Sequence, residues 1–300
     1  MHIAFFTIPT VGHVYPTLAV VAELVRRGHR VTYPSTGQRA PDIEEQGATV
    51  VPVSFLADAE ATVGRLERAY SDDRPDLVVV DRMAVAGRVV AAAWHVPAVQ
   101  SWSYRVGYPP VRDGLPAPKK HLAYFPRAFQ SADSSADVLG DEYCFVGPCI
   151  RQQSAAGWQP PAGDGPLVLI SSAVDASGFA GTDWRVVVAS GVPQLRVLAH
   201  AAVYVGHGGM GGIMEALSYG RPVVAVPRSP EQQANAARLS ELGLGTALGP
   251  ADLTPAALRT AVDAVAKDDA VADRILQMRY ELVTAGGTTR AADVIEDCLP

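Results

Sequence analysis

The chain has 300 residues, 48% of them hydrophobic and 19% charged, with a net charge of −6 at pH 7. That length exceeds what one hydrophobic core usually supports, so two domains are expected. The acidic balance argues against nucleic acid as the main partner, and no apolar run approaches a bilayer span, so no stable membrane insertion is expected.

Cys144, Cys149 and Cys298 form no CxxC pair and leave one thiol over in any disulfide scheme, as expected of a reduced, cytoplasmic protein. The first residues enter an apolar stretch without a basic leader, and no signal peptide is expected.

Residues 2–8 form a nearly continuous apolar run, the pattern of a parallel strand covered on both faces. A turn with Pro9 and Gly12 leads into a helix that carries Pro16 near its first turn and Leu18, Val21 and Val25 on one face. Gly28 is placed to end it, and 30–33 resumes a strand. A second apolar strand, 77–80, precedes an Ala-rich helix ending near His95, and 97–100 reads as a further strand. The stretch GPCIRQQSAAGWQPPAGDG from Gly147 holds the best linker, placed at 151–165. Beyond it, strand patterns at 167–171, 185–189, 202–205 and 223–226 alternate with helical ones at 213–219 and 230–242. The C-terminus is helical from Thr254 (N-cap) and Pro255 onward. The expected architecture is α/β: Rossmann-like doubly wound domains at 1–150 and 166–300, facing a central cleft. Two stretches, 105–120 and 171–182, lack the periodicity of a compact domain.

The strongest chemical signal is V-P-Q from Val192, VYVGHGGMGG from Val203, Glu215, and Pro230-Glu231-Gln232. A strand should end at Val205 and a helix open near Gly211. Gly209, Gly211 and Gly212 let backbone approach a ligand where free N–H groups favour phosphate, and His207 adds a side-chain donor. Glu215, on the same helix, can accept ribose hydroxyls. Gly206, Gly208 and Gly211 also spell G-x-G-x-x-G, a weak match by itself that a tight turn could need without a ligand. Gln232 fits a capping box with Ser229 as well as it fits sugar binding.

The second signal is His13, between the first strand and first helix, with Asp81 directly after the strand 77–80. Both fall at the carboxyl edge of a parallel sheet, where open α/β proteins place ligands. An imidazole with an orienting carboxylate makes a general base; the plainer reading makes Asp81 a helix N-cap and His13 a loop residue. No His/Cys/Asp/Glu cluster has metal-ligand spacing, and there is neither a P-loop nor GxSxG.

HGGMGGIMEALSYGRPVVAVP followed by EQQANAARLSELGLG resembles the donor signature of the antibiotic and macrolide glycosyltransferases, the bacterial branch of the UDP-glycosyltransferase superfamily with the GT-B fold. The resemblance extends over the N-terminal third and FVGP at Phe145. It implies inverting, metal-independent transfer of a sugar, glucose from UDP-glucose, to a hydroxyl of a macrolide or similar natural product. No cofactor is implied beyond the UDP-sugar co-substrate, and a homodimer is compatible with it. On this resemblance His13 is the base, Asp81 steadies it, His207 contacts the pyrophosphate and Glu215 the ribose. Glu231 and Gln232 meet the sugar, and Val192 and Gln194 lie beside the nucleobase. The alternatives are a deoxysugar transferase using a TDP-sugar, a nicotinamide-dependent dehydrogenase, and a catalytically silent nucleotide-sugar binder.

The chain departs from the family pattern in three places: Ser190-Gly191 replace the aromatic before V-P-Q, Gly212 replaces a serine, and the glycine-serine turn after Ser171 is missing. It is also short for the family, the shortfall falling at 105–120, 171–182 and 190–191.

Overall fold

The computed structural model describes residues 1–53, 55, 58–106, 114–130, 139–151, 158–189 and 192–300. Much of the expected linker (152–157), part of the stretch 105–120 (107–113) and Ser190-Gly191 lie outside them. The chain divides into two compact units, Met1–Arg151 with Thr284–Pro300, and Gln152–Val283.

The first unit runs β1 (His2–Phe6), α1 (Val11–Arg26), β2 (Arg30–Pro34), α2 (Ala40–Glu44), β3 (Thr49–Val51), α3 (Ala59–Ala69), β4 (Leu77–Asp81), α4 (Val85–Trp94), β5 (Ala98–Trp102), β6 (Lys120–Ala123) and β7 (Tyr143–Phe145). Its seven strands are parallel in the order β3-β2-β1-β4-β5-β6-β7. The apolar runs of β1 and β4 serve two cores at once because strand side chains alternate faces. Ile3, Phe5, Leu77 and Val79 pack with Leu18 and Val21 of α1, whereas Ala4, Phe6, Val78 and Val80 pack with Leu66 of α3 and Val90 of α4. Gly28 ends α1 at φ +90°, a conformation that favours glycine.

The second unit runs β8 (Leu167–Ser171), β9 (Arg185–Val188), α5 (Gln194–His200), β10 (Val203–Gly206), α6 (Met210–Ser218), β11 (Val223–Ala225), α7 (Pro230–Glu241), β12 (Gly245–Ala247), α8 (Pro255–Ala266) and α9 (Asp269–Thr284). Its five strands are also parallel, in the order β12-β11-β10-β8-β9. Thr254 caps α8 by accepting from Ala257 N at 3.1 Å, with Pro255 in the first turn. Within 171–182 a single 3-10 turn at Ser177–Phe179 buries Phe179 against α8.

The last helix, α10 (Gly287–Glu296), corrects the assignment of all of 166–300 to one domain. Ala291, Ala292, Val294 and Ile295 enter the core beside α1. Arg27 of α1 donates to Asp293 at 2.8 Å, and His29 pairs with Glu296 at 2.7 Å. The apolar face of α10 is therefore satisfied by the first sheet.

Each sheet has one place where strand order reverses: β1/β4 in the first and β10/β8 in the second. Such switch points leave a crevice at the carboxyl ends of the two strands, and ligands bind there.

Candidate functional site

At the first switch point His13 is the third residue of α1, inside its first turn rather than in the preceding loop. Its Nδ1 lies 2.8 Å from Asp81 Oδ2. Asp81 ends β4 fully buried, and its other oxygen accepts from Met83 N at 2.8 Å. It does not cap α4, whose N-cap is Ala84. An ionised carboxylate here accepts from Nδ1–H, which leaves Nε2 as the unprotonated nitrogen. That atom has no hydrogen-bond partner among the described residues. Ser103, not singled out in the sequence, places its Oγ 3.1 Å from Nδ1, and Tyr104 packs edge-on to the imidazole at 6.0 Å. The pair is a partly exposed base on a buried, fixed carboxylate.

Exposed apolar side chains flank the pair along the chain. Val11 (52% exposed) opens α1, Met83 (51%) follows Asp81, and Val85 (38%) opens α4. They are three of the eight exposed large hydrophobic side chains among the described residues, and all three adjoin the carboxyl ends of β1 and β4. Exposed apolar residues gathered at a site point to an apolar ligand, whereas scattered single ones would not.

At the second switch point β10 ends in Gly206, His207 is exposed on the turn, and Gly209 is the N-cap of α6. Gly208 takes φ +81° and lies against Gln232 backbone, where a Cβ would come within 3.0 Å. A Cβ on Gly209 would fall 2.6 Å from His207 Nε2, so the imidazole lies over the helix N-terminus. Nothing stands within 4 Å of a Cβ built on Gly211. This first turn therefore offers free N–H groups, an imidazole and open space to an anion.

Glu215 and Gln194 come together: Gln194 Nε2 donates to Glu215 Oε2 at 2.6 Å, and Ser171 Oγ donates to Gln194 Oε1 at 2.8 Å. Burial pushes the Glu215 carboxyl up, and the Gln194 bond pulls the other way. The amide of Gln194 is thus engaged with Glu215, a partnership that its expected place beside a nucleobase does not foresee. Val192 lies half-buried just before α5.

Gln232 forms half of the capping box, its N–H donating to the N-cap Ser229 Oγ at 3.3 Å, while its Oε1 reaches one residue further back and accepts from Arg228 N at 2.8 Å. Its Nε2 has no hydrogen-bond partner among the described residues. Glu231 Oε1 accepts from Asn235 Nδ2 at 2.6 Å, and the same nitrogen donates to Gly208 O at 3.1 Å. Buried Asn235 thereby ties the glycine turn to α7, a role its position in the sequence does not announce. Among the described residues no group of three His, Cys, Asp or Glu gathers as a metal site would, and no helix is long and apolar enough to cross a membrane.

Residues 165–298 match the family described as Erythromycin biosynthesis protein CIII-like, C-terminal domain. The NDP-glycosyltransferase YjiC of Bacillus licheniformis is 32% identical over 386 aligned positions, covering 98% of this chain and 97% of the relative. The oleandomycin glycosyltransferase of Streptomyces antibioticus is 32% identical and covers 100% of this chain and 91% of its own. Among solved structures, the glycosyltransferase of kitacinnamycin superposes with a TM-score of 0.89 at 32% identity, over 100% of this chain and 99% of that one. The 386 aligned positions against 300 residues show that the first relative carries segments this chain does not.

Proposed function

The chain belongs to the NDP-glycosyltransferase family and is a glycosyltransferase of GT-B fold, and we propose that it inverts configuration while moving glucose from UDP-glucose to a hydroxyl of a macrolide or similar apolar natural product. The observation that carries the mechanism is the His13–Asp81 pair, 2.8 Å apart, with Nε2 open. An acceptor hydroxyl gives its proton to Nε2 as its oxygen attacks the anomeric carbon. The bond from that carbon to the diphosphate oxygen breaks in the same displacement, so configuration inverts once. Asp81 accepts from Nδ1–H throughout and stabilises the imidazolium as it forms.

The leaving diphosphate is received by the amides opening α6 and by His207. Glu215, with one oxygen committed to Gln194, takes ribose hydroxyls with the other. Gln232 Nε2 and Glu231 reach for the sugar. The acceptor class is supported by exposed Val11, Met83 and Val85 near His13 and Asp81 along the chain and by the relative named oleandomycin glycosyltransferase.

The test offers UDP-glucose and TDP-glucose in parallel with a macrolide, a phenolic and a monosaccharide, following nucleotide release and the mass of the product. Hexose addition to the macrolide or phenolic with UDP release is expected. Transfer from TDP-glucose alone overturns the donor assignment, transfer only to the monosaccharide overturns the acceptor class, and release of no nucleotide leaves a silent binder.

A further inference from the structure

The second unit holds a buried phenol that the reaction as described does not use. Tyr204 sits in β10, 2% exposed, and its hydroxyl lies beside Ser171 and Gln194, both of which favour its ionised form against the opposing effect of burial. A tyrosine in a strand core is ordinarily replaceable by phenylalanine. Here two glycines make room for this ring: a Cβ on Gly206 would lie 2.6 Å from the ring, and one on Gly212 would lie 2.5 Å from the phenolic oxygen. The backbone of α6 thus passes directly over that oxygen, which accounts for glycine where the family pattern has serine.

We infer that Tyr204 is a positioning residue for the donor site, fixing the Glu215 carboxylate through Ser171 and Gln194. The donors run one way. Ser171 Oγ–H is committed to Gln194 Oε1, and Gln194 Nε2 to Glu215 Oε2. The phenol O–H accordingly donates to Ser171 Oγ, the acceptor that Ser171 has left. With Oε1 held, the Gln194 amide cannot flip, and its NH₂ always faces Glu215. One carboxylate oxygen is thereby fixed and its twin is left for ribose. Chains of hydrogen bonds polarise one another when buried, so loss at the far end is felt at the carboxylate. The phenol itself stays neutral, since burial pushes its ionisation up. This inference rests on the reading of Glu215 as the ribose acceptor.

The experiment titrates UDP calorimetrically from pH 5 to 8 into the full chain and its Tyr204→Phe, Glu215→Ala and double variants, with melting temperatures alongside. Tyr204→Phe should melt within a few degrees of the parent and bind UDP roughly three- to tenfold more weakly. Its loss of affinity on acidification should begin at higher pH, because Glu215 has lost support for its charged form. In the Glu215→Ala background Tyr204→Phe should change nothing further. Ser171→Ala, which cuts the same chain one link on, should reproduce the phenotype and covers the case of a phenylalanine variant that does not fold. Unchanged affinity, an unchanged pH profile, or full additivity with Glu215→Ala overturns the inference. If Glu215→Ala alone binds UDP normally, the reading beneath it falls as well, and the two failures are told apart.

Discussion

Replacing Gly209 by alanine should strip the donor site of its histidine without disturbing the fold. The residue is the N-cap of α6 with φ −67° and ψ 141°, which alanine adopts without strain. Its new Cβ would lie 2.6 Å from His207 Nε2 and 3.2 Å from Cδ2. Ordinary carbon contacts begin at about 3.5 Å, so the imidazole must retreat by about 1 Å. His207 is exposed and can move cheaply; the loss of glycine at an N-cap costs at most about 1 kcal/mol. A bond from His207 to a diphosphate would be charge-assisted and worth about 1.5–3 kcal/mol, so UDP should bind roughly ten- to a hundredfold more weakly. Uridine, which carries no phosphate, should lose nothing. Calorimetry with both ligands separates the effects, and Gly209→Ala combined with His207→Ala should bind UDP no more weakly than His207→Ala alone. Equal weakening of uridine and UDP, or an unaffected UDP, refutes the placement of His207 on the anion.

Glu215→Gln should raise the melting temperature at pH 7 while weakening UDP. Burial pushes this carboxyl up, so its charged form is disfavoured in the fold, and the gain should vanish below about pH 4.3, where folded and unfolded chains are both protonated. His121 is pushed down from 6.5 to about 4 by burial and accepts from Trp102 Nε1 at 3.1 Å. The unfolded chain takes the proton first, so stability should be full above pH 6.5 and lost as pH falls toward 4, by about 3 kcal/mol at most. His121→Phe, with its ring still stacked on Tyr143, should flatten that decline in urea titrations at pH 7 and 5. Met83→Ser with Val85→Ser should raise KM for a macrolide roughly tenfold through lost apolar contact and leave the UDP Kd unchanged; a shift in the UDP Kd instead would remove these residues from the acceptor side.

The elements that bring the candidate site together were legible because their signals are local. β4, β8 and β10 are apolar runs ending in Asp81, Ser171 or the glycine turn, β1 is an apolar run leading into the helix that carries His13, and a parallel sheet brings such ends to one edge. The three-residue strands Thr49–Val51, Tyr143–Phe145 and Gly245–Ala247 show no period and exist through their neighbours. The destination of α10 was equally hidden, since an amphipathic helix states which face is apolar and not which sheet will cover it. The supporting side chains were missed for the same reason: Ser103 meets His13 across 90 residues, and Asn235 meets Gly208 across 27. Gln232 was ambiguous because one residue type serves capping and sugar binding alike, and its amide oxygen is engaged in the cap.

The role of His13 decides the account, and one variant measures it. His13→Ala should lower kcat by roughly 10²–10⁴-fold, with UDP bound as tightly as in the parent because no part of the nucleotide site is touched. Turnover near the parent's would contradict the account, placing the base elsewhere and leaving the 2.8 Å contact with Asp81 a structural one.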